Sequence, residues 1–152
     1  MPKIDIDAIP PKTTTIYPEP FAALTEGRAK QALGNAGGLT QFGVNLTRLK
    51  PGAISSLKHW HEKEDEFVFI LEGEAVLVED DTETPLVAGE AAAFKAGNGI
   101  AHQLVNRSAQ DVVYLEVGSR AEEEHARYAD HDLDYRRDAA GHRFTRKDGT
   151  PY

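Results

Sequence analysis

From Leu39 to Val117 the chain is cut into short β-prone runs by glycine, proline and paired aspartate, and this punctuation constrains the fold more than any other feature. The runs cover 39–49, 53–61, 66–71, 74–79, 84–87, 91–94, 100–106 and 112–117. Pro51-Gly52, Gly73, Asp80-Asp81, Gly89 and Ala96-Gly97-Asn98-Gly99 stand between them. Short strands every 8 to 12 residues or so, separated by turn formers, predict an antiparallel sandwich or barrel. Ahead of them, residues 1–20 carry five prolines and read as an extended arm able to add an edge strand. Residues 21–30 allow one weak helical turn, limited by Gly27, and 34–38 read as a turn. After Gly118 the texture turns polar, and the Ser119 to Glu122 spacing approaches a capping box, which predicts one short helix. The expected organisation is an N-terminal arm and edge strand (1–38), a barrel (39–118) and a C-terminal tail (119–152). The tail lacks sustained period and is expected to wrap the barrel or a partner subunit, pinned by Tyr135, Phe144 and Tyr152.

Composition removes several functional classes. A chain of 152 residues is one ordinary domain with enough length for a real core. It has no cysteine, so disulfide scaffolds, thiolate metal sites and cysteine nucleophiles are excluded. The net charge of −8 and the lack of a dense basic cluster disfavour nucleic acid and anionic lipid. No apolar run approaches the roughly 20 residues of a membrane span, and no secretory signal is visible at the start, so a cytoplasmic location is the expectation.

The stretch from 52 to 73 carries the chemistry. His59 and His61 alternate on one strand and so share a face, and Glu66 opens the next strand after a short turn. Two imidazoles and a carboxylate brought together across a hairpin make a partial metal site. His102 follows a glycine-rich turn and is the natural third nitrogen ligand. Glu62, Glu64 and Asp65 fall in the intervening turn and are expected to be solvated. His125, His131 and His142 fall in the polar tail and are expected at the surface. Asn106 is expected to close a turn. Gln41 and Asn45 share one face of the 39–49 strand and are candidate substrate contacts. Inward His59, His61, Glu66, Val68 and Ile70 put Trp60, Phe67, Phe69 and Leu71 outside, on what are expected to be adjacent strands. Such an apolar patch predicts a homodimer.

Residues Gly52, His59, His61, Glu66 and Gly73 together resemble the first motif of the cupin superfamily. Gly89, Gly97, His102 and Asn106 resemble the second, with Lys95 where the family usually has proline and two extra residues before His102. The tail, ending Phe-Thr-Arg-Lys-Asp-Gly-Thr-Pro-Tyr, is similar to that of short stand-alone bacterial cupins, some labelled sugar-phosphate isomerase-like. The resemblance implies an all-β, double-stranded β-helix (jelly-roll) barrel. It also implies one divalent metal ion per chain (Fe, Mn, Zn or Ni) on His59, His61, Glu66 and His102. The function it implies is a metal-dependent enzyme on a small oxygen-rich molecule, either a dioxygenase or an isomerase or lyase. The alternative is a non-catalytic small-molecule binding or sensing module with a structural metal.

Overall fold

The computed structural model describes residues 3–152, which form two antiparallel sheets facing each other. The twelve strands, in chain order, are β1 (Arg28–Gln31), β2 (Phe42–Leu49), β3 (His59–His61), β4 (Glu66–Glu72), β5 (Glu74–Glu79), β6 (Thr82–Val87), β7 (Ala91–Phe94), β8 (His102–Val105), β9 (Val112–Ser119), β10 (Glu124–Tyr128), β11 (Asp134–Asp138) and β12 (Gly141–Thr145). One sheet has the order β1-β2-β9-β4-β7 and the other β12-β11-β10-β3-β8-β5-β6. A 3-10 turn (Ala22–Thr25) and a one-turn helix α1 (Leu33–Ala36) are the helical segments among the described residues. No helix there is long and apolar enough to cross a membrane.

Two expectations from the sequence are corrected by this topology. The strands carrying His59 and Glu66 are not a hairpin, because β3 lies between β10 and β8 in one sheet and β4 between β9 and β7 in the other. The turn between them therefore crosses from sheet to sheet. Nor does the chain turn helical after Gly118. Glu124–Tyr128 pairs with β3, and β11 and β12 extend the sheet beyond it as a hairpin. Glu124, Ala126 and Tyr128 alternate inward on this strand, a period of two that outweighs the helix-tolerant composition.

The main core is built from inward residues of both sheets, among them Leu49, Ile70, Leu77, Leu104, Val112 and Tyr114. A second, aromatic cluster sits at the other end, where Phe21, Leu57, Ala126, Tyr128 and Leu133 are packed by Tyr17, Tyr135 and Phe144. The N-terminal arm and the β11–β12 hairpin thus meet over one end of the sandwich, and Tyr152 stacks edge-on against Phe21.

Alternation also leaves an apolar outer face on the five-stranded sheet. In register across it lie Val44, Val117, Phe67 and Ala93, and next to them Leu46, Leu115, Phe69 and Ala91. Phe67 is 40% exposed and Leu71 41%. Trp60 belongs to the other sheet and is not part of this face.

Two turns hold the barrel's register. Gly73, with φ +79°, lies where a Cβ would come within 2.6 Å of the Asp111 carbonyl, so only glycine fits between β4 and β5. Asn106 is fully buried, and its amide donates to the carbonyls of Leu49 and Gln110 at 2.9 and 2.7 Å. Its Oδ1 accepts from the Ser108 amide and hydroxyl. Asn106→Ala strands those two carbonyls and is expected to cost about 2–4 kcal/mol, whereas Ser108→Ala costs less than about 1 kcal/mol. Urea unfolding of both variants measures the difference; equal midpoints would refute the role of the amide.

Candidate metal centre

Three strands bring four side chains together in the interior: His59, His61 and Glu66 converge, and His102 contacts the Glu66 carboxylate. His59 and His61 alternate with Trp60 on β3, and His59 faces His102 of β8 as its direct cross-strand partner. Phe94 stacks on the His102 ring, with centroids 3.7 Å apart, and fixes its plane. Glu66 reaches in from the opposite sheet. Its Oε2 lies 2.7 Å from His102 Nε2 and 3.9 Å from His59 Nε2, and its Oε1 lies 3.5 Å from His61 Nε2. The Nε2 atoms of His59 and His61 are 3.1 Å apart.

These spacings fit a coordination shell. Donors about 2.1 Å from one ion stand about 3.0 Å apart along an octahedral edge and about 3.4 Å along a tetrahedral one. The donor atoms of His59, His61 and Glu66 all lie within 4.8 Å of one another. His102 joins through its contact with the Glu66 carboxylate. The tautomer of His59 is set by its Nδ1, which lies 2.8 Å from the Leu57 carbonyl and donates to it. Its Nε2 then carries a lone pair aimed at the cluster. A second lone pair at 3.1 Å would repel it, so a proton or a cation belongs between the two rings.

Electrostatics put His59 and Glu66 in their metal-ligating forms while His61 holds its proton more tightly. Burial pushes the His59 imidazole down to about 4, although the Glu66 charge pulls the other way. Burial opposes protonation of His61 too, yet the hydrogen bond and charge of Glu66 outweigh it and the net shift is upward. Burial would raise Glu66, but hydrogen bonds from His102 and His61 prevail and hold its carboxyl well below the ordinary range. The cluster thus presents a neutral imidazole and an anionic carboxylate.

Of the acids of the β3–β4 turn, Asp65 is exposed as expected and Glu62 is partly so, whereas the Glu64 side chain is largely buried. Glu64 pairs with Arg137 and accepts from the Ala121 amide at 2.9 Å. Glu62 accepts from Arg127 Nε at 2.8 Å, and Asp65 accepts from the Ala96 amide at 2.8 Å. His125 is buried rather than exposed, with Asp134 at 2.7 Å on one ring nitrogen and Glu62 at 3.2 Å on the other. His131 packs on Phe21, and His142 is exposed. Glu124, only 3% exposed, accepts from the amides of Glu62, Lys63 and His125 and so clamps the turn beneath His61. Glu64 and Glu124 both approach His61, but both are already committed to these bonds.

Two adjoining cavities open onto the cluster. One, of about 460 Å³, is lined by Asn45, Glu66, Glu116 and Arg137 among others. The other, of about 260 Å³, is lined by His59, His61, Arg28, Lys30, Tyr17 and Tyr128, and shares Glu64, Glu66, Glu116 and Arg137 with the first. Asn45 donates to Glu116 at 2.9 Å, and Lys30 donates to the same oxygen at 2.5 Å. Gln41 is exposed in the bend ahead of β2, where its backbone carbonyl accepts from the Arg120 amide. Sequence reasoning missed Arg28, Lys30, Glu116, Glu124, Tyr17 and Tyr128. Period two on the 112–117 run would have placed Glu116 with Tyr114 inside, but nothing in the sequence tells which arm and tail residues return to the barrel.

Residues 45–118 match the family model described as a cupin domain. A solved structure from Silicibacter pomeroyi, described as a sugar phosphate isomerase from a cupin superfamily, superposes with TM-score 0.96 and 50% identity. The match covers 99% of this chain and 96% of that one. A putative sugar phosphate isomerase from Acidithiobacillus ferrooxidans superposes with TM-score 0.78 at 23% identity, covering 87% and 83% of the two chains. A predicted oxalate decarboxylase from Thermotoga maritima gives TM-score 0.63 at 23% identity, covering 78% and 99%. The latter two share the fold. No curated protein matches the chain.

The displaced imidazole makes metal-free stability depend on pH. His59 binds a proton near 6.5 when unfolded but only near 4 when folded, so between those values the unfolded chain holds more protons. Its contribution is full above about 6.5 and is lost as pH falls toward 4. The urea midpoint of the metal-free protein is expected to drop, relative to His59→Gln, between pH 7 and pH 5. Parallel midpoints across that window would contradict a buried neutral His59.

Proposed function

Because the chain belongs to the cupin superfamily, we propose that it is a metal-dependent enzyme acting on a small oxygen-rich molecule, with His59, His61, Glu66 and His102 holding one divalent ion. The observation that carries this reading is the convergence of His59, His61 and Glu66 at coordination-shell spacing on the wall of a polar cavity. Three imidazoles and one carboxylate suit Fe, Mn, Zn or Ni, and equal supply favours Ni and Zn over Mn and Fe. The 50%-identical protein described as a sugar phosphate isomerase supports isomerase over dioxygen chemistry.

When bound, the ion supplies Lewis-acid polarisation of a substrate oxygen and stabilises the negative charge that develops there. The chain supplies the rest. An isomerisation takes a proton from one carbon and returns it to the next, which requires a side chain facing the same space. Glu116 lines both cavities with Glu66, and Lys30 and Asn45 hold its carboxylate in one orientation. Burial pushes the phenols of Tyr17 and Tyr128 up, so they stay protonated donors lining the same cavity.

Protein made without a histidine tag and reconstituted with each metal is expected to hold about one ion per chain. His61→Ala is expected to lose more affinity than the roughly 10- to 100-fold typical of an outer partner of a ligand. Recovery below about 0.2 ion per chain in every metal would overturn the ligand assignment. In isomerase screens, Glu116→Gln is expected to keep the metal and lose about 10²- to 10⁴-fold in turnover. Metal binding with no turnover on any hydroxycarbonyl would favour the sensing module instead.

We also propose that two copies pair through the outer face of the five-stranded sheet. Eight apolar residues in two registered rows across β2, β9, β4 and β7 form one contiguous surface, which monomers rarely leave in water. Phe67→Glu, at the centre of a row, is expected to shift the protein from dimer to monomer in sedimentation while the metal content stays constant. A monomeric wild type at micromolar concentration would end this proposal.

A further inference from the structure

The charged residues lining the smaller cavity are three cations, Arg28, Lys30 and Arg137, and three acids, Glu64, Glu66 and Glu116. Lys30 is taken by Glu116 and Arg137 by Glu64. Glu66 is taken by the imidazoles. Arg28 remains, and among the described residues no carboxylate lies within ion-pair distance of it, whereas the other two cations of the wall each have one.

Its placement follows from β1. Arg28 is the register partner of Leu49, a fully buried core residue, so it stands on the inward face of an edge strand. One Nη donates to the Ser55 carbonyl at 2.6 Å, which aims the group. A guanidinium has five N–H donors in a planar fork, and that single bond leaves most of the fork facing the cavity. The hydroxyls of Tyr17 and Tyr128, 3.5 Å apart, line the same space.

We propose that Arg28 is the anchor for an oxyanion group, phosphate or carboxylate, of the substrate. The inference deepens the metal-enzyme reading and rests on it for the identity of the site. The wall is balanced without a metal, and a divalent ion held by neutral imidazoles and Glu66 leaves it in excess by two positive charges. A dianionic ligand cancels that excess, with its oxyanion in the bidentate geometry that arginine recognises. A neutral sugar or polyol would leave the Arg28 charge half-buried and unmatched.

The test is calorimetric titration of inorganic phosphate, and separately malonate, into wild type, Arg28→Met and Arg28→Lys, each metal-free and metal-loaded. Metal content and urea midpoint of every variant are measured alongside. Arg28→Met is expected to keep both and to weaken the tighter anion about tenfold or more, with Arg28→Lys recovering part of the loss. Tighter phosphate assigns a phosphoester substrate and tighter malonate a carboxylate; either supports the anchor. Unchanged affinity in Arg28→Met with its ion retained overturns the proposal, as does a wild type that binds neither anion in either state. Wild type that takes up no metal overturns the ligand assignment instead. The metal-free titrations then still decide Arg28 by the difference between wild type and the Met variant.

Discussion

Glu66 is an anion carried into the gap between two sheets, and its hydrogen bond to His102 ties one sheet to the other at 2.7 Å. Burying a carboxylate costs several kcal/mol unless partners replace the lost water. Here the partners come from three positions on two strands of the opposite sheet, so the carboxylate is tolerable only while β3 and β8 hold their register against β4. That requirement runs outward through the fold. Phe94 on β7 clamps the His102 ring, Glu124 on β10 clamps the β3–β4 turn, and Gly73 permits the close turn that returns β5 to the sheet of β8. Each is a local device, and together they place donors that would otherwise repel each other.

The two ends of the sandwich divide labour accordingly. One cluster is filled mainly by aliphatic side chains, with Phe94 and Tyr114 among them. The other is lined with titratable groups, covered by aromatics from the N-terminal arm and the β11–β12 hairpin. Aromatic rings suit that cover because they bury large area with few rotamers while their hydroxyls still serve a polar interior. Tyr17 and Tyr128 do both, packing edge to face at 5.9 Å and turning their oxygens toward one another.

The alternation His59-Trp60-His61 and the spacing to Glu66 were legible because period two decides which side chains share a face, whatever the sheet. The sheet itself was not legible. A four-residue link between two strands reads as a hairpin, and only long-range pairing of β3 with β10 and β8 shows that it crosses the sandwich. The same gap hid His125 and Glu124. Their stretch of consecutive acids and alanines has helical composition, and tertiary pairing with β3 overrode it. Arg28 lay next to Gly27 in a segment with no pattern, so its inward position depends wholly on β2 being there to receive it.

A cavity with balanced walls inside a chain of net charge −8 has a consequence for the order of binding. Screening at physiological ionic strength confines the negative surface field to about 8 Å, so an approaching anion meets repulsion outside and little attraction within until a cation is in place. The same surface favours capture of the cation. An ion held by the proposed ligands would reverse the local sign over a few ångströms, and an oxyanion would then meet the ion and Arg28 together. On the metal-enzyme reading proposed above, metal loading would serve both the chemistry and the recognition of an anionic substrate.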